Sequence, residues 1–305
     1  MIVAAPVRPR PCDTAAVTGD LRARVDAVLT TFLDERLRAV DRLDPAARPP
    51  IEEIERLLVA GGKRIRPAFC YWGFRAAGGE DREGAGEPIV RAAAALELLH
   101  TMALVYDDLI DGATERRGVP STAAWFAARA EGLDAKGEPT AFGEAMAVLV
   151  GDLAAVLADH LLLESGFSPA ALADALAVYH PMREEMAIGQ YLELAGSVGG
   201  ADVSGQARRV AALKGGGYTV EGPLRLGAAL AGGTAAAGAC LSRFGRPLGE
   251  AFQLRDDLTD GDAAPGVTVE TVNERVADAK AALDPDVLVA KAVPVLRRLA
   301  DEVAA

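Results

Sequence analysis

The chain has 305 residues, of which 50% are hydrophobic and only 5% aromatic, and its formal net charge is −12. So acidic a surface speaks against nucleic acid and anionic membrane as partners, since both would repel it. Three cysteines, Cys12, Cys70 and Cys240, are odd in number and lack metal-ligand spacing, which predicts a reducing cytoplasmic setting with Cys70 and Cys240 as small core residues.

Taken in chain order, Met1 to Pro11 is too proline-rich for a helix and has no apolar signal-peptide core, so residues 1–20 are expected to be a loose tail. Apolar residues then recur at helical spacing over 21–43, 89–106, 143–164, 169–195, 206–214, 219–231, 234–256 and 268–301. No alternating strand pattern persists. The breaks are rich in Gly and Pro: Asp44 to Pro50, Ala77 to Glu80, Gly132 to Pro139 and Gly196 to Gly205. None is long enough to be an interdomain linker. The most apolar stretch, 88–106, is interrupted by Arg91, Glu97 and His100, and so reads as a core helix and not a membrane span. The fold class is therefore all-α: one helical bundle over 21–305 around a central cavity.

Two acidic clusters of one design punctuate this apolar background, Asp107-Asp108-Leu109-Ile110-Asp111 and Asp256-Asp257-Leu258-Thr259-Asp260, each closing an apolar helix. Helical spacing puts Asp107 with Asp111, and Asp256 with Asp260, on a common face. Like charges so placed repel, and charges beside a core are costly unless paired. Either cluster alone reads equally well as a solvated helix end. Two matching ones point to a bridging cation, and oxygen ligands without His or Cys suit a hard ion such as Mg²⁺, shared with substrate phosphates.

Basic groups are scarce and local. Two of the five lysines stand in distinctive settings, Gly61-Gly62-Lys63-Arg64-Ile65-Arg66-Pro67 and Leu213-Lys214-Gly215-Gly216-Gly217-Tyr218-Thr219, and an Arg116-Arg117 pair follows the first acidic cluster. Each alone is more often surface. Together they outline a diphosphate site beside a metal site, arginine offering a planar fork and lysine a mobile point charge. His100, seven residues before Asp107, lies two turns up the same face.

The order Gly-Gly-Lys-Arg-x-Arg-Pro, Asp-Asp-x-x-Asp, Arg-Arg-Gly, Gly-Gln-x-Leu, Lys with Tyr-Thr downstream, then Gln-x-x-Asp-Asp-x-x-Asp resembles the trans-isoprenyl diphosphate synthases, or polyprenyl synthetases, from about Ile51 to Asp260. The resemblance implies that Asp107, Asp111 and Asp256 hold Mg²⁺, with Asp108, Asp257 and Asp260 in support. It implies that Arg116, Lys214 and Gln253 bind an allylic diphosphate (dimethylallyl, geranyl or farnesyl) and that Lys63, Arg66, His100 and Arg117 bind isopentenyl diphosphate. Gln190 matches the glutamine of the fourth motif, whose acid here is Glu193 where aspartate is usual. A homodimer that does not insert into membrane is also implied. Met102 and Ala103, about one turn before Asp107, would form the first wall of the tail channel, and their small or flexible side chains predict a geranylgeranyl product.

The chain departs from that pattern in places. Gly215 stands where threonine is usual, Pro120-Ser121-Thr122-Ala123 replaces Pro-Thr-x-His, and no lysine falls between Lys214 and Lys280. Two other classes remain: a class I terpene cyclase, whose second metal triad would need a ligand where Ala264 stands, and a noncatalytic subunit of a heteromeric synthase, which commonly lacks one of the two clusters.

Overall fold

Proline and short capping side chains set most of the helix starts. In this computed structural model, which describes residues 14–80, 87–116, 118–132, 137–199, 209–261, 263 and 266–304, α1 (Thr14–Leu43) leads through a 3₁₀ turn (Pro45–Ala47) into α2 (Pro49–Val59), α3 (Ile65–Ala76) and α4 (Pro88–Ile110). A two-residue hairpin, β1 (Glu115–Arg116) against β2 (Val119–Pro120), precedes α5 (Thr122–Gly132), α6 (Pro139–Leu163) and α7 (Pro169–Gly199). A π-helix (Ala211–Glu221) runs into α8 (Gly222–Leu230), followed by α9 (Ala235–Asp260), α10 (Val269–Ala281) and α11 (Val293–Ala304). Pro49, Pro88 and Pro139 each open a helix where the missing N–H costs nothing. Thr234 accepts from the Ala237 N–H, and Thr268 with Thr271 forms a reciprocal cap. Gly261, at φ 86°, closes α9 in the left-handed conformation that glycine adopts freely.

Helix α4 is apolar nearly all round, and such a helix is stable only when enclosed. Ala92 to Leu96, Leu98 and Leu99 are fully buried, and α1, α3 and α6 close around them. A second cluster gathers α9, α10 and α11 about Leu241, Phe244 and Leu248. Helix α3 joins the two: Cys70 and Phe74 belong to the first, Phe69 and Ala76 to the second, and Trp72 touches both. Each fully buried ring, Phe32, Phe69 or Phe244, contributes roughly 1.5–3 kcal/mol.

The all-α architecture matches the sequence reading, and four local expectations are corrected. Residues 14–20 are helical, because the proline run ends at Pro11 and nothing after it breaks the turn; residues 1–13 of the expected tail lie outside the described part. The span 268–301 is two helices, since Pro285 bars helical geometry at Asp284, whose Oδ1 instead caps the Asp286 N–H at 2.9 Å. Helices α2, α3 and α5 went unread. Finally, the glycine triplet after Lys214 does not end a helix: the π-helix passes straight through Gly215 to Gly217. The reason is close approach, since a Cβ on Gly249 of α9 would fall 2.5 Å from the Gly216 Cα. Only glycine lets the two backbones meet there.

Candidate active site

Two chambers meet at the C-terminal ends of α4 and α9. The larger, about 750 Å³, is walled by Met102, Ala103 and Tyr106 of α4, Met186 and Gln190 of α7, Lys214 and Tyr218 of the π-helix, and Phe252, Gln253 and Asp256 of α9, with Asp107 at its head. The smaller, about 620 Å³, lies between the Gly61 to Arg66 loop and Glu97, His100 and Arg116. Arg66, His100, Leu104, Phe252 and Asp256 belong to the walls of both. A ligand in one chamber is therefore only a side chain away from a ligand in the other.

The first acidic cluster is wrapped in cations. Arg116 donates from Nε to Asp108 Oδ1 at 2.7 Å and from Nη2 to Asp107 Oδ2 at 3.0 Å, while Lys214 Nζ reaches Asp107 Oδ1 at 3.0 Å and Glu193 Oε2 at 2.5 Å. The hairpin aims Arg116 back at the helix end: Gly118 takes φ 77°, and Arg56 of α2 pins the hairpin by donating to the Pro120 carbonyl at 2.9 Å. Asp111 is the C-cap of α4, its N–H bonded to the Asp107 carbonyl at 2.9 Å. Burial lifts the Asp111 carboxyl above its ordinary range and Asp107 lifts it further; burial does the same to Asp108 against the pull of Arg116. Burial works against the charge of Lys214, but Glu193 and Asp107 outweigh it and hold its pKa above the usual value.

The second cluster is anchored differently. Gln253 Nε2 donates to Asp257 Oδ1 at 2.8 Å, and its amide oxygen occupies the space beside Gly215, where a Cβ would come within 2.1 Å of Oε1. A threonine there, as in the related pattern, would require that amide to move. Asp256 lines both chambers, and the side chain of Asp260, in the last turn of α9, lies outside the described part.

On the other side, Arg66 donates from Nη2 to Thr219 Oγ1 at 2.8 Å and lies 4.5 Å over the Tyr218 ring. His100 is 6.3 Å from the same ring. Lys63 is exposed at the rim of the smaller chamber. Arg117 lies outside the described residues. The structure thus brings together Lys63, Arg66, His100, Asp107, Asp111, Arg116, Gln190, Lys214, Gln253 and Asp256, and places Met102 and Ala103 on the larger cavity's wall. Sequence reading missed the part of Tyr218 and Thr219, which back Arg66. The signal was there: both sit within one turn and a half of Lys214 in an otherwise small-residue run, yet both are almost fully buried.

Among the described residues no three carboxylate, His or Cys side chains converge into a ready-made metal cage. Mg²⁺ binds carboxylates together with water and phosphate oxygens, and Asp107 and Asp256 bring carboxylates from two helices to the larger chamber. Burial first, and then the neighbouring Asp107, raise the carboxyls of Asp108 and Asp111, and an added cation beside Asp107 would offset that repulsion. The donor set therefore fits the ion.

Comparison with known proteins agrees with this geometry. The sequence profile of the family described as polyprenyl synthetase matches residues 49–283. A short chain isoprenyl diphosphate synthase from Methanothermobacter thermautotrophicus is 31% identical over 228 residues, covering 74% of this chain and 62% of its own length. A chloroplastic geranylgeranyl pyrophosphate synthase from Capsicum annuum is 29% identical over 267 residues, covering 77% and 66%. The chain thus spans just under two thirds of the length of these relatives. The solved geranylgeranyl pyrophosphate synthase of Corynebacterium glutamicum, complexed with isoprenyl diphosphate and magnesium, superposes with a TM-score of 0.85 at 26% identity, covering 93% of this chain and 98% of its own. A geranylgeranyl pyrophosphate synthetase from the archaeon Geoglobus acetivorans, at 21% identity and TM-score 0.73, shares the fold.

Proposed function

This chain belongs to the polyprenyl synthetases, and from that premise we propose that it is a prenyltransferase condensing isopentenyl diphosphate with an allylic diphosphate to a trans-prenyl diphosphate, geranylgeranyl diphosphate. The observation that carries the reading is the pair of chambers sharing the wall of Arg66, His100 and Asp256. One has an acid-and-lysine head over an apolar body. The other is lined by bases.

In this reading Lys214 and Arg116 grip the allylic diphosphate and offset the negative charge that grows on it as the carbon–oxygen bond ionises. Mg²⁺, held by Asp107, Asp111 and Asp256, supplies the remaining Lewis-acid neutralisation when bound. Lys63, Arg66 and His100 hold isopentenyl diphosphate so that its double bond faces the allylic carbon across the shared wall, which replaces a bimolecular encounter by a fixed approach. Met102, Ala103, Tyr106 and Phe252 keep water from the cation. The departing diphosphate, retained by Lys214 and Arg116, is the base placed to take the proton that completes the new double bond.

The smaller basic chamber would be idle in a terpene cyclase. Incubating the protein with Mg²⁺, isopentenyl diphosphate and each allylic starter, then sizing the dephosphorylated products, separates the readings. Longer linear alcohols are expected. Cyclic hydrocarbons would replace the proposal with a cyclase, and no product would favour a noncatalytic subunit.

A homodimer is part of the proposal. Phe142, Leu149, Val156 and Leu163 of α6 are exposed apolar residues at seven-residue intervals, and Ile188, Tyr191 and Leu194 are exposed on α7; an exposed apolar stripe of that kind suits an interface with a second copy of the chain. Light scattering on the eluting protein should give twice the 31.6 kDa chain mass. The acidic surface and the buried free thiols Cys70 and Cys240 suit a cytoplasmic site of action.

A further inference from the structure

Of the bases around the smaller chamber, Lys63 and Arg64 are carried by the Gly61 to Arg64 loop that joins α2 to α3. Within it Arg64 sits at φ 52° and ψ 41°, and among the described residues it is the one non-glycine with positive φ. An L side chain is strained there, and such strain persists only where the surroundings over-determine the conformation. They do so here. The Arg64 guanidinium, 9% exposed, donates from Nε to Asp26 Oδ1 of α1 at 2.8 Å, from Nη1 to Glu97 Oε2 of α4 at 2.8 Å, and from Nη2 to the Leu58 carbonyl of α2 at 2.9 Å. Glu97, 5% exposed, lies one turn before His100 on the same helix. Burial opposes the charge of Arg64, and Glu97 and Asp26 outweigh it.

Lys63, Arg64 and Arg66 all border the smaller chamber, but the left-handed turn engages the Arg64 guanidinium with Asp26, Glu97 and the Leu58 carbonyl and leaves Lys63 exposed. Arg66, one residue into α3, is backed by Thr219 and Tyr218, so its position depends on where Arg64 sets the start of that helix. We propose that Arg64, gripped by Asp26 and Glu97, is a positioning residue that fixes Lys63 and Arg66 for isopentenyl diphosphate. This rests on the function proposed above, and it assigns Arg64 a task separate from its neighbours: it sets geometry and they supply the charge.

The test compares Arg64→Lys, Glu97→Gln and Asp26→Asn with wild type, measuring KM for each substrate, kcat and the thermal midpoint. Glu87→Gln serves as a control, because Glu87 holds Arg24 in an ion pair of 2.7 Å at the opposite end of α4, equally buried and remote from the chambers. Arg64→Lys and Glu97→Gln should raise KM for isopentenyl diphosphate by about tenfold or more while KM for the allylic substrate and kcat at saturation stay within about twofold. Asp26→Asn should do the same more weakly, Asp26 being 41% exposed. Glu87→Gln should lower the thermal midpoint and split nothing. Equal rises in both KM values, a fall in kcat alone, or an unchanged isopentenyl KM in folded Glu97→Gln protein would overturn the proposal. Should Arg64→Lys fail to fold, Glu97→Gln and Asp26→Asn decide it. Wild-type product formation judges the function by itself, and calorimetric titration of inorganic diphosphate into wild type and Glu97→Gln tests the loop even if that function falls: equal affinities would sink it.

Discussion

In the larger chamber, α4 and α9 carry Asp107 and Asp256 to one cavity by helical spacing, and the cations that meet Asp107 come from the π-helix and a clamped hairpin. In the smaller chamber, Lys63 and Arg66 flank a strained loop residue whose three partners come from three different helices. The first arrangement is stiff because helices are stiff. The second is stiff because a buried arginine has every arm occupied, so it can be loosened at Asp26, which borders neither chamber. Two halves of one site thus reach preorganisation by different physics, and they should fail differently.

The largest failure should come from the acidic clusters. Asp107→Ala, Asp111→Ala and Asp256→Ala are each expected to lower turnover by about three orders of magnitude, roughly 4 kcal/mol of transition-state stabilisation. Circular dichroism should show the helices intact, since all three positions lie in the last turns or at the end of α4 and α9 and outside the apolar core. Turnover near normal at any one position would remove that residue from the metal set.

A smaller and more pointed effect separates the chambers. Lys63→Ala should raise KM for isopentenyl diphosphate by about tenfold and leave the allylic KM nearly unchanged, and Lys214→Ala should do the reverse. Lys214 has an added cost, because its removal leaves Asp107 and Glu193 facing each other without their shared cation. Initial rates with one substrate saturating and the other varied measure the split. If both variants moved both constants alike, the boundary between chambers would be misplaced.

That boundary was only partly legible in the sequence. The acidic clusters, the basic motifs around Lys63 and Arg116 and the apolar helices declare themselves through residue type and period, because a carboxylate at the end of an apolar helix is costly without a partner. The enclosure of α4 followed from its lack of any polar face. What could not be read is long-range contact: Asp26 and Glu97 gripping Arg64 join residues separated by 38 and 33 positions, and Thr219 meets Arg66 across 153. Nor does periodicity reveal a π-helix, whose wider turn lets a glycine triplet press onto Gly249 where propensity alone predicts a break.

The subtlest prediction concerns the apolar body of the larger chamber, and it should change the product more than the rate. Met102 and Ala103 both line that cavity on α4, a turn before Asp107, so a tail growing away from the metal-binding head passes them first. Met102 is 8% exposed, packed into the core on one side and bordering the cavity on the other. A phenylalanine at either position puts a rigid ring where a flexible thioether or a methyl group now leaves space. Neither side chain is among the charged groups proposed to hold the diphosphates, so ionisation should survive while the room for added isoprene units shrinks. Met102→Phe and Ala103→Phe are therefore expected to shift the product from geranylgeranyl toward the fifteen-carbon length, with turnover within roughly an order of magnitude of wild type. Chromatography of the dephosphorylated alcohols reads the shift. An active variant with unchanged product length would mean that the tail leaves the head by another wall, and the larger chamber would then need a different floor.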